Sequence, residues 1–242
     1  MNKNSNIYQI SYASILVIAV GAILALVYMA LKDRQDMNIA DDTRKQILSS
    51  IRVQAPEGVT IEDTFNKYIT DELRVDIQGN ITEKGKGVAF GVDMKNFVKE
   101  KDATNKKYPV FVAKANDGTV KYVFPMYGAG LWGPIWGYVS VNDDGKTIYG
   151  ANFSHQGETP GLGARISEAD FQNKFQGKTL YNDNEFKSIE IVKKGQKGTT
   201  GGECIDAISG ATITSRGVSS MMQDCLTPYD AFLKKLQSET AK

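Results

Sequence analysis

The sequence has few of the residues that hold metal ions or covalent cross-links. It contains two cysteines, Cys204 and Cys225, and a single histidine, His155. Because it has no CxxC pair and no His/Cys cluster, we do not expect this chain alone to hold zinc or an iron–sulfur centre. Its cysteine content is consistent with one disulfide in an oxidising compartment and equally with two buried free thiols.

The N-terminal part of the chain lacks charge. Residues 12–31 contain no charged side chain, and a run of about 20 apolar residues is long enough to cross roughly 30 Å of hydrocarbon. Charged residues follow at once at positions 32–36, so no small-x-small cleavage site is present. We therefore predict an uncleaved transmembrane helix at 12–31, after a short tail at 1–11. The basic residues on its two flanks leave its orientation open.

Beyond residue 31 neither sign of charge is in excess. All 28 acidic residues and all but one of the 29 basic residues lie there. This balance argues against nucleic acid as a partner. The chain also lacks a GxGxxG sequence after a predicted strand, so NADH or another dinucleotide has no recognisable binding motif here.

Apolar periodicity and turn residues predict an α+β fold. Helices are predicted at 43–53, about 62–69, from 167, 215–226 and 228–236, and strands at 73–77, 108–113, 120–125, 137–141, 146–153, 188–192 and 203–206. Because βαβ alternation is absent, the strands should be mostly antiparallel. We divide the chain after the transmembrane helix into a helical stalk or pre-domain at 32–72 and a main domain at 73–242.

The segment Ser209-Gly210-Ala211-Thr212 lies between a predicted strand and a predicted helix. The start of a helix presents free backbone N–H groups and favours negative charge, so a phosphate could bind there. The alternative is a turn with a helix cap. Thr214 and Ser215 offer further hydroxyls, which we interpret as capping residues.

Two other loops combine glycine with aromatic or rigid residues. The run from Gly128 to Tyr138 contains two tryptophans, which suits stacking on a planar ligand and equally suits a tight aromatic turn. In the second loop, from His155 to Arg165, the histidine and Glu158 suggest acid–base chemistry. No nucleophile pattern surrounds them, and a lone histidine is usually structural. The Pro-stiffened sequence Thr159-Pro160-Gly161-Leu162-Gly163 can present backbone groups to the polar edge of a ring.

Taken together, these motifs resemble one family. The run Asp206 to Ser215 resembles the flavinylation motif of bacterial membrane flavoproteins, in which FMN is joined through its phosphate to the threonine of a Ser/Thr-Gly-Ala-Thr element. The Gly-Leu-Trp-Gly-Pro-Ile-Trp-Gly-Tyr run, the Glu-Thr-Pro-Gly-Leu-Gly loop and the Ser-Gly-Ala-Thr element occur here in the order seen in NqrC, the third component of the Na⁺-translocating NADH:quinone oxidoreductases, Nqr. The last two motifs also occur in the G subunit of the related Rnf complex.

The resemblance implies that residues 73–242 form an FMN-binding domain with the flavin linked covalently to Thr212 by a phosphoester. It implies that Ser209, Gly210 and Ala211 shape the turn around the phosphate. Asp206 would orient that turn or be read by the flavin transferase that attaches FMN.

For the isoalloxazine ring, the resemblance implies contacts with Thr159, Leu162 and Gly163. Trp132 would flank the ring, and Glu158 would brace the loop or reach the ribityl chain.

At the level of function, the resemblance implies an electron-carrying subunit that is not catalytic alone. Its partners would be the membrane, the other Nqr subunits and the flavin transferase. The complex oxidises NADH, reduces ubiquinone or menaquinone and moves Na⁺ outward. The flavin domain would lie on the periplasmic face of the inner membrane. The alternatives are the Rnf G subunit and a membrane-tethered module that binds a planar ligand non-covalently.

Overall fold

The computed structural model of the chain describes residues 5–100 and 105–240. Its α-helices are α1 (Asn6–Ser50), α2 (Ile61–Tyr68), α3 (Met94–Lys99), α4 (Ala169–Gln172), α5 (Thr212–Leu226) and α6 (Asp230–Thr240). Its strands are β1 (Ile69–Val75), β2 (Ile81–Lys84), β3 (Tyr108–Lys114), β4 (Val120–Ala129), β5 (Pro134–Asn142), β6 (Ile148–His155), β7 (Tyr181–Asn182), β8 (Glu185–Phe186), β9 (Glu190–Val192) and β10 (Cys204–Asp206). The predicted fold class, an apolar N-terminal helix followed by an antiparallel-rich α+β domain, is confirmed.

Helix α1 contains the predicted transmembrane segment and extends well past it. By length and composition it can cross a membrane, and its large apolar side chains from Ile10 to Leu31 are exposed. The prediction of a separate helix at 43–53 is wrong. Residues 32–50 contain neither glycine nor proline, so nothing interrupts the helix before Ser50. Residues 1–4 of the predicted tail lie outside the described residues.

The chain divides into two compact units, the first ending at Thr43 and the second beginning at Arg44. The end of α1 thus belongs to the second unit together with α2. The division that the sequence suggests, with a pre-domain at 32–72 and an FMN-binding domain at 73–242, stays a prediction.

The second unit is built on a six-stranded sheet. The strand order is β2-β1-β3-β4-β5-β6, and each neighbouring pair is antiparallel. Strands β4 and β5 are longer than predicted, because their pairing continues from Lys121 opposite Asn142 to Ala129 opposite Pro134. Residues 130–133 therefore form the tip of a long hairpin, where the Gly130 N–H donates to the carbonyl of Gly133 at 2.8 Å.

Both faces of this sheet are buried. Successive side chains of β4 point to opposite faces, and residues on each face lie in a core. Phe124 and Met126 point to the larger core, which α5 and α6 cover, whereas Val123 points to a smaller core. The last turn of α1 and Phe65 of α2 cover that smaller core. Helix α5 is held in the larger core by its buried apolar residues Val218, Met221, Met222, Cys225 and Leu226. The first turn of α5 is consequently fixed at one end of the sheet layer.

Candidate functional site

The start of α5 has the features that favour an anion. Strand β10 pairs in parallel with β9, and a turn then leads to Thr212, the first helical residue. Gly210 in this turn has a φ of +76°, which an L side chain adopts only at a cost. Ala211 occupies the N-cap position without a side-chain hydrogen bond. The first N–H groups of α5 therefore have no side-chain cap and lie beside the half-buried Thr212.

The two neighbouring hydroxyls are not caps, so that prediction is wrong. The Thr214 hydroxyl donates to Oε2 of Glu158 at 2.6 Å. The Ser215 hydroxyl accepts from the Ile208 N–H at 3.1 Å, which holds the turn against the helix. Both side chains are buried, whereas Thr212 is partly accessible.

Glu158 links the three motifs to one another. Its carboxylate is buried, with 4% of the residue surface exposed. Oε1 accepts from the Trp132 N–H at 2.8 Å, and Oε2 accepts from Thr214. Its own N–H donates to Nδ1 of His155 at 3.2 Å. The hairpin tip, the loop after β6 and the first turn of α5 are therefore joined by one carboxylate, and His155 supports the loop rather than facing a nucleophile.

Close backbone approach explains several of the glycines in these motifs. A Cβ on Gly163 would overlap Oε2 of Glu158 and lie 2.8 Å from Oγ1 of Thr214, and a Cβ on Gly130 would overlap Oε1 of the same carboxylate. A Cβ on Gly210 would lie 2.9 Å from Cδ2 of Leu162. The Ser-Gly-Ala-Thr turn and the loop that contains Leu162 are thus packed against each other.

Each motif also exposes a large apolar side chain. The most exposed is Trp132, at 69%, and Ile213 is 58% exposed directly after Thr212. Leu131 and Leu162 are exposed to a lesser degree. Trp132 and Leu162 were predicted as site residues from the sequence, whereas Leu131 and Ile213 were missed, although both lie within the motifs. A planar apolar group attached near Thr212 would find apolar side chains on all three motifs.

The remaining predicted residues lie around this centre. Asp206 ends β10 with an exposed side chain, and its carbonyl accepts from Nζ of Lys174 at 3.2 Å. Ser209 is exposed in the turn. Thr159 is exposed, and its carbonyl accepts from the N–H groups of Leu162 and Ala164, at 3.1 Å each. That carbonyl therefore holds the turn of its own loop.

The two cysteines are both free thiols. Cys225 is buried near the end of α5, where its Sγ lies 3.5 Å from the carbonyl oxygen of Tyr127. Burial raises the pKa of this thiol to about 11. The sequence was consistent with one disulfide and equally with two free thiols, and the structure has the two free thiols.

The site and the fold define an FMN-binding domain. The sequence model of the FMN-binding domain family matches residues 130–227, a range that begins at the hairpin tip and ends just after α5. The matched range contains all three motifs, apart from Gly128 and Ala129 at the beginning of the first one.

Similar proteins identify the family within this class. The chain is 32% identical to the NqrC protein of the Na⁺-translocating NADH-quinone reductase of Haemophilus ducreyi, over 90% of this chain and 89% of that protein. The crystal structure of the Parabacteroides distasonis NqrC protein has 47% identity and a TM-score of 0.74, covering 84% of this chain and 96% of that one. The Shewanella oneidensis NqrC structure has 26% identity and a TM-score of 0.66, covering 82% of this chain and 98% of that one.

The chain belongs to the NqrC family of the Na⁺-translocating NADH-quinone reductase. It is a subunit of that membrane enzyme, contains an FMN-binding domain and has in α1 a helix suited to a single-pass anchor. The family inferred from the three motifs is confirmed, and the choice of Nqr over Rnf with it.

Proposed function

We propose that this protein carries FMN through a phosphoester to Oγ1 of Thr212 and passes electrons within the NADH-quinone reductase. One observation carries the proposal. Thr212, a partly exposed residue, stands at the start of α5, which has no side-chain cap, and all three flavin motifs meet there around Glu158.

The start of α5 suits the phosphate. Its first N–H groups can donate to phosphate oxygens, and the helix dipole favours their negative charge. Ser209, Gly210 and Ala211 form the turn that keeps this end open, and the positive φ of Gly210 lets the chain enter the helix at that point. Asp206, exposed just before the turn, either orients it or is read by the flavin transferase.

The exposed apolar side chains suit the isoalloxazine ring. Trp132 would flank it, and Leu162, which touches the turn at Gly210, would contact it together with the neighbouring Thr159 and Gly163. The sequence left two roles open for Glu158. Its two hydrogen bonds to Trp132 and Thr214 support the bracing role over contact with the ribityl chain.

Attachment is a phosphoryl transfer to a hydroxyl. The bond from Oγ1 of Thr212 to phosphorus forms, the bond from phosphorus to the leaving group of the flavin donor breaks, and the hydroxyl proton leaves with that group. Relative to free FMN and the unmodified chain, the product has lost one water. The flavin transferase supplies the activated donor, so the chain itself contributes only the nucleophile and its positioning.

When bound, FMN supplies the electron-transfer chemistry, and the chain supplies attachment and orientation. NADH binds on another subunit, since this chain lacks a dinucleotide motif. The partners are the other subunits of the complex, which reduces a quinone and moves Na⁺ outward. We further propose that the flavin domain faces the periplasm, with α1 in the inner membrane.

The test is to coexpress the full-length chain with the flavin transferase and to measure the mass of the purified chain. The wild-type chain should gain the mass of FMN less one water, and its band should fluoresce after denaturing electrophoresis. Thr212→Val should show neither, whereas the control Ser209→Ala, which removes the other exposed hydroxyl of the turn, should keep both. A fluorescent Thr212→Val band refutes the assignment, and a flavin that wild type releases on denaturation supports a non-covalent module instead.

A further inference from the structure

Glu158 hydrogen-bonds to each of the three parts of the proposed flavin site. We propose that Glu158 and Thr214 act as a positioning pair, which fixes the two ring-binding loops against α5 and places a negative charge beside the flavin that lowers its reduction potential. This inference rests on the proposed attachment at Thr212.

The positioning role follows from how far apart the joined residues are in the chain. Trp132 and Glu158 are separated by 26 residues, and Glu158 and Thr214 by 56. The carboxylate has no room to move, because Gly130 and Gly163 leave their backbone directly against its two oxygens. Removing either hydrogen bond should therefore displace a whole loop and not only one side chain.

The charge effect follows from burial. In the described part of the chain Glu158 forms no ion pair, and its oxygens accept only from a backbone N–H and a hydroxyl. A buried charge without a counter-ion acts strongly on its surroundings, since little water screens it. Reducing a flavin adds negative charge to the ring whenever fewer protons than electrons arrive. A carboxylate that holds the parts of the proposed site together would oppose that change and make the potential more negative.

Substitution can separate the two effects. Glu158→Gln keeps an oxygen for the Trp132 N–H, and its amide can donate to the Thr214 hydroxyl oxygen, so that the geometry is preserved and the charge is lost. Thr214→Val removes the donor to Oε2, and Thr214→Ser keeps that donor. Glu168→Gln is the matched control, because this carboxylate lies ten residues farther along and is exposed in an ion pair with Arg165.

The experiment uses the full chain made with the transferase and measures FMN loading by intact mass and the reduction potential by redox titration. We expect Glu158→Gln to load FMN and to titrate at a more positive potential than wild type, with Glu168→Gln unchanged. We expect Thr214→Val to load at least severalfold more slowly than Thr214→Ser. Circular dichroism spectra verify that each variant is folded.

Unchanged potential in Glu158→Gln overturns the charge effect, and equal loading of the two Thr214 variants overturns the positioning role. If Glu158→Gln does not fold, the Thr214 pair alone decides the proposal. If the wild-type chain shows no added FMN mass, the attachment at Thr212 itself is contradicted. That outcome differs from the two results above, which concern only Glu158 and Thr214.

Discussion

Gly210→Ala tests how closely the attachment turn and the ring-binding loop must fit. Gly210 has a φ of +76°, and the added methyl group would lie 2.9 Å from Cδ2 of Leu162. An L residue in this backbone region costs roughly 1–2 kcal/mol, partly offset by about 0.4–1 kcal/mol from the lower entropy of the unfolded chain. We expect a net loss of about 1 kcal/mol and a Tm lower by about 2–4 °C.

Gly177→Ala is the matched control for this change. Gly177 has a φ of +73°, and nothing lies within 4 Å of the position of an added Cβ. Its backbone strain from the positive φ should therefore match that of Gly210→Ala, whereas no neighbouring side chain has to move.

The two variants should differ in flavin attachment. Carbon atoms in contact prefer about 3.5–4.0 Å, and the distance here would be 2.9 Å, so Leu162 must move by roughly 0.6–1.1 Å in Gly210→Ala. Because a displacement of about 1 Å at a reacting site can cost on the order of 10²-fold in rate, we expect attachment to slow by at least about tenfold. The assay is the time course of the mass increase with purified transferase, alongside thermal unfolding. Equal attachment rates in Gly210→Ala and Gly177→Ala would refute the reasoning.

The same site and its surroundings give three further predictions. Leu162→Ala and Trp132→Ala should keep covalent FMN, expose the ring to a soluble quencher and shift its reduction potential; unchanged quenching and potential in both would show that these loops are only structural. Alkylation of the denatured, unreduced chain should label both thiols, and in the native protein at pH 8 Cys204 should react first, because the pKa of Cys225 is raised to about 11; a single unlabelled pair would indicate a disulfide. A reporter at the C-terminus should be active only in its periplasmic form, and the opposite result would place the flavin domain in the cytoplasm.

Local sequence signals predicted much of the fold. The β3–β4 and β5–β6 hairpins follow from alternating apolar residues around Asn- and Gly-containing turns. Helix α5 was predicted from Ser215 and begins at Thr212, a difference typical of helix ends. The short strand β2 and helix α3 were missed, because each has few buried residues to produce a periodic pattern.

The centre of the site was less accessible to sequence reasoning. Thr214 has the position and chemistry of a residue near a helix cap, yet its hydroxyl faces a carboxylate 56 residues earlier in the chain. Gly163 was predicted as a contact of the ring and Gly130 as part of a loop that suits a planar ligand, although both are small so that Glu158 can fit. Such contacts depend on where the strands place the loops, and no local pattern contains that information.

The placement of Thr212 at the head of a core helix has a consequence for electron transfer. Helix α5 is held by Val218, Met222 and Leu226, all fully buried, so the backbone at Thr212 has little freedom of its own. Other covalently attached cofactors are carried on a flexible lysine and sample a wide volume like a swinging arm. With Thr212 as the acceptor, this protein cannot use that strategy. The distance between its flavin and any partner redox centre would be set by how the protein surfaces meet, and the electron-transfer rate would depend on that contact instead of on the diffusion of the cofactor.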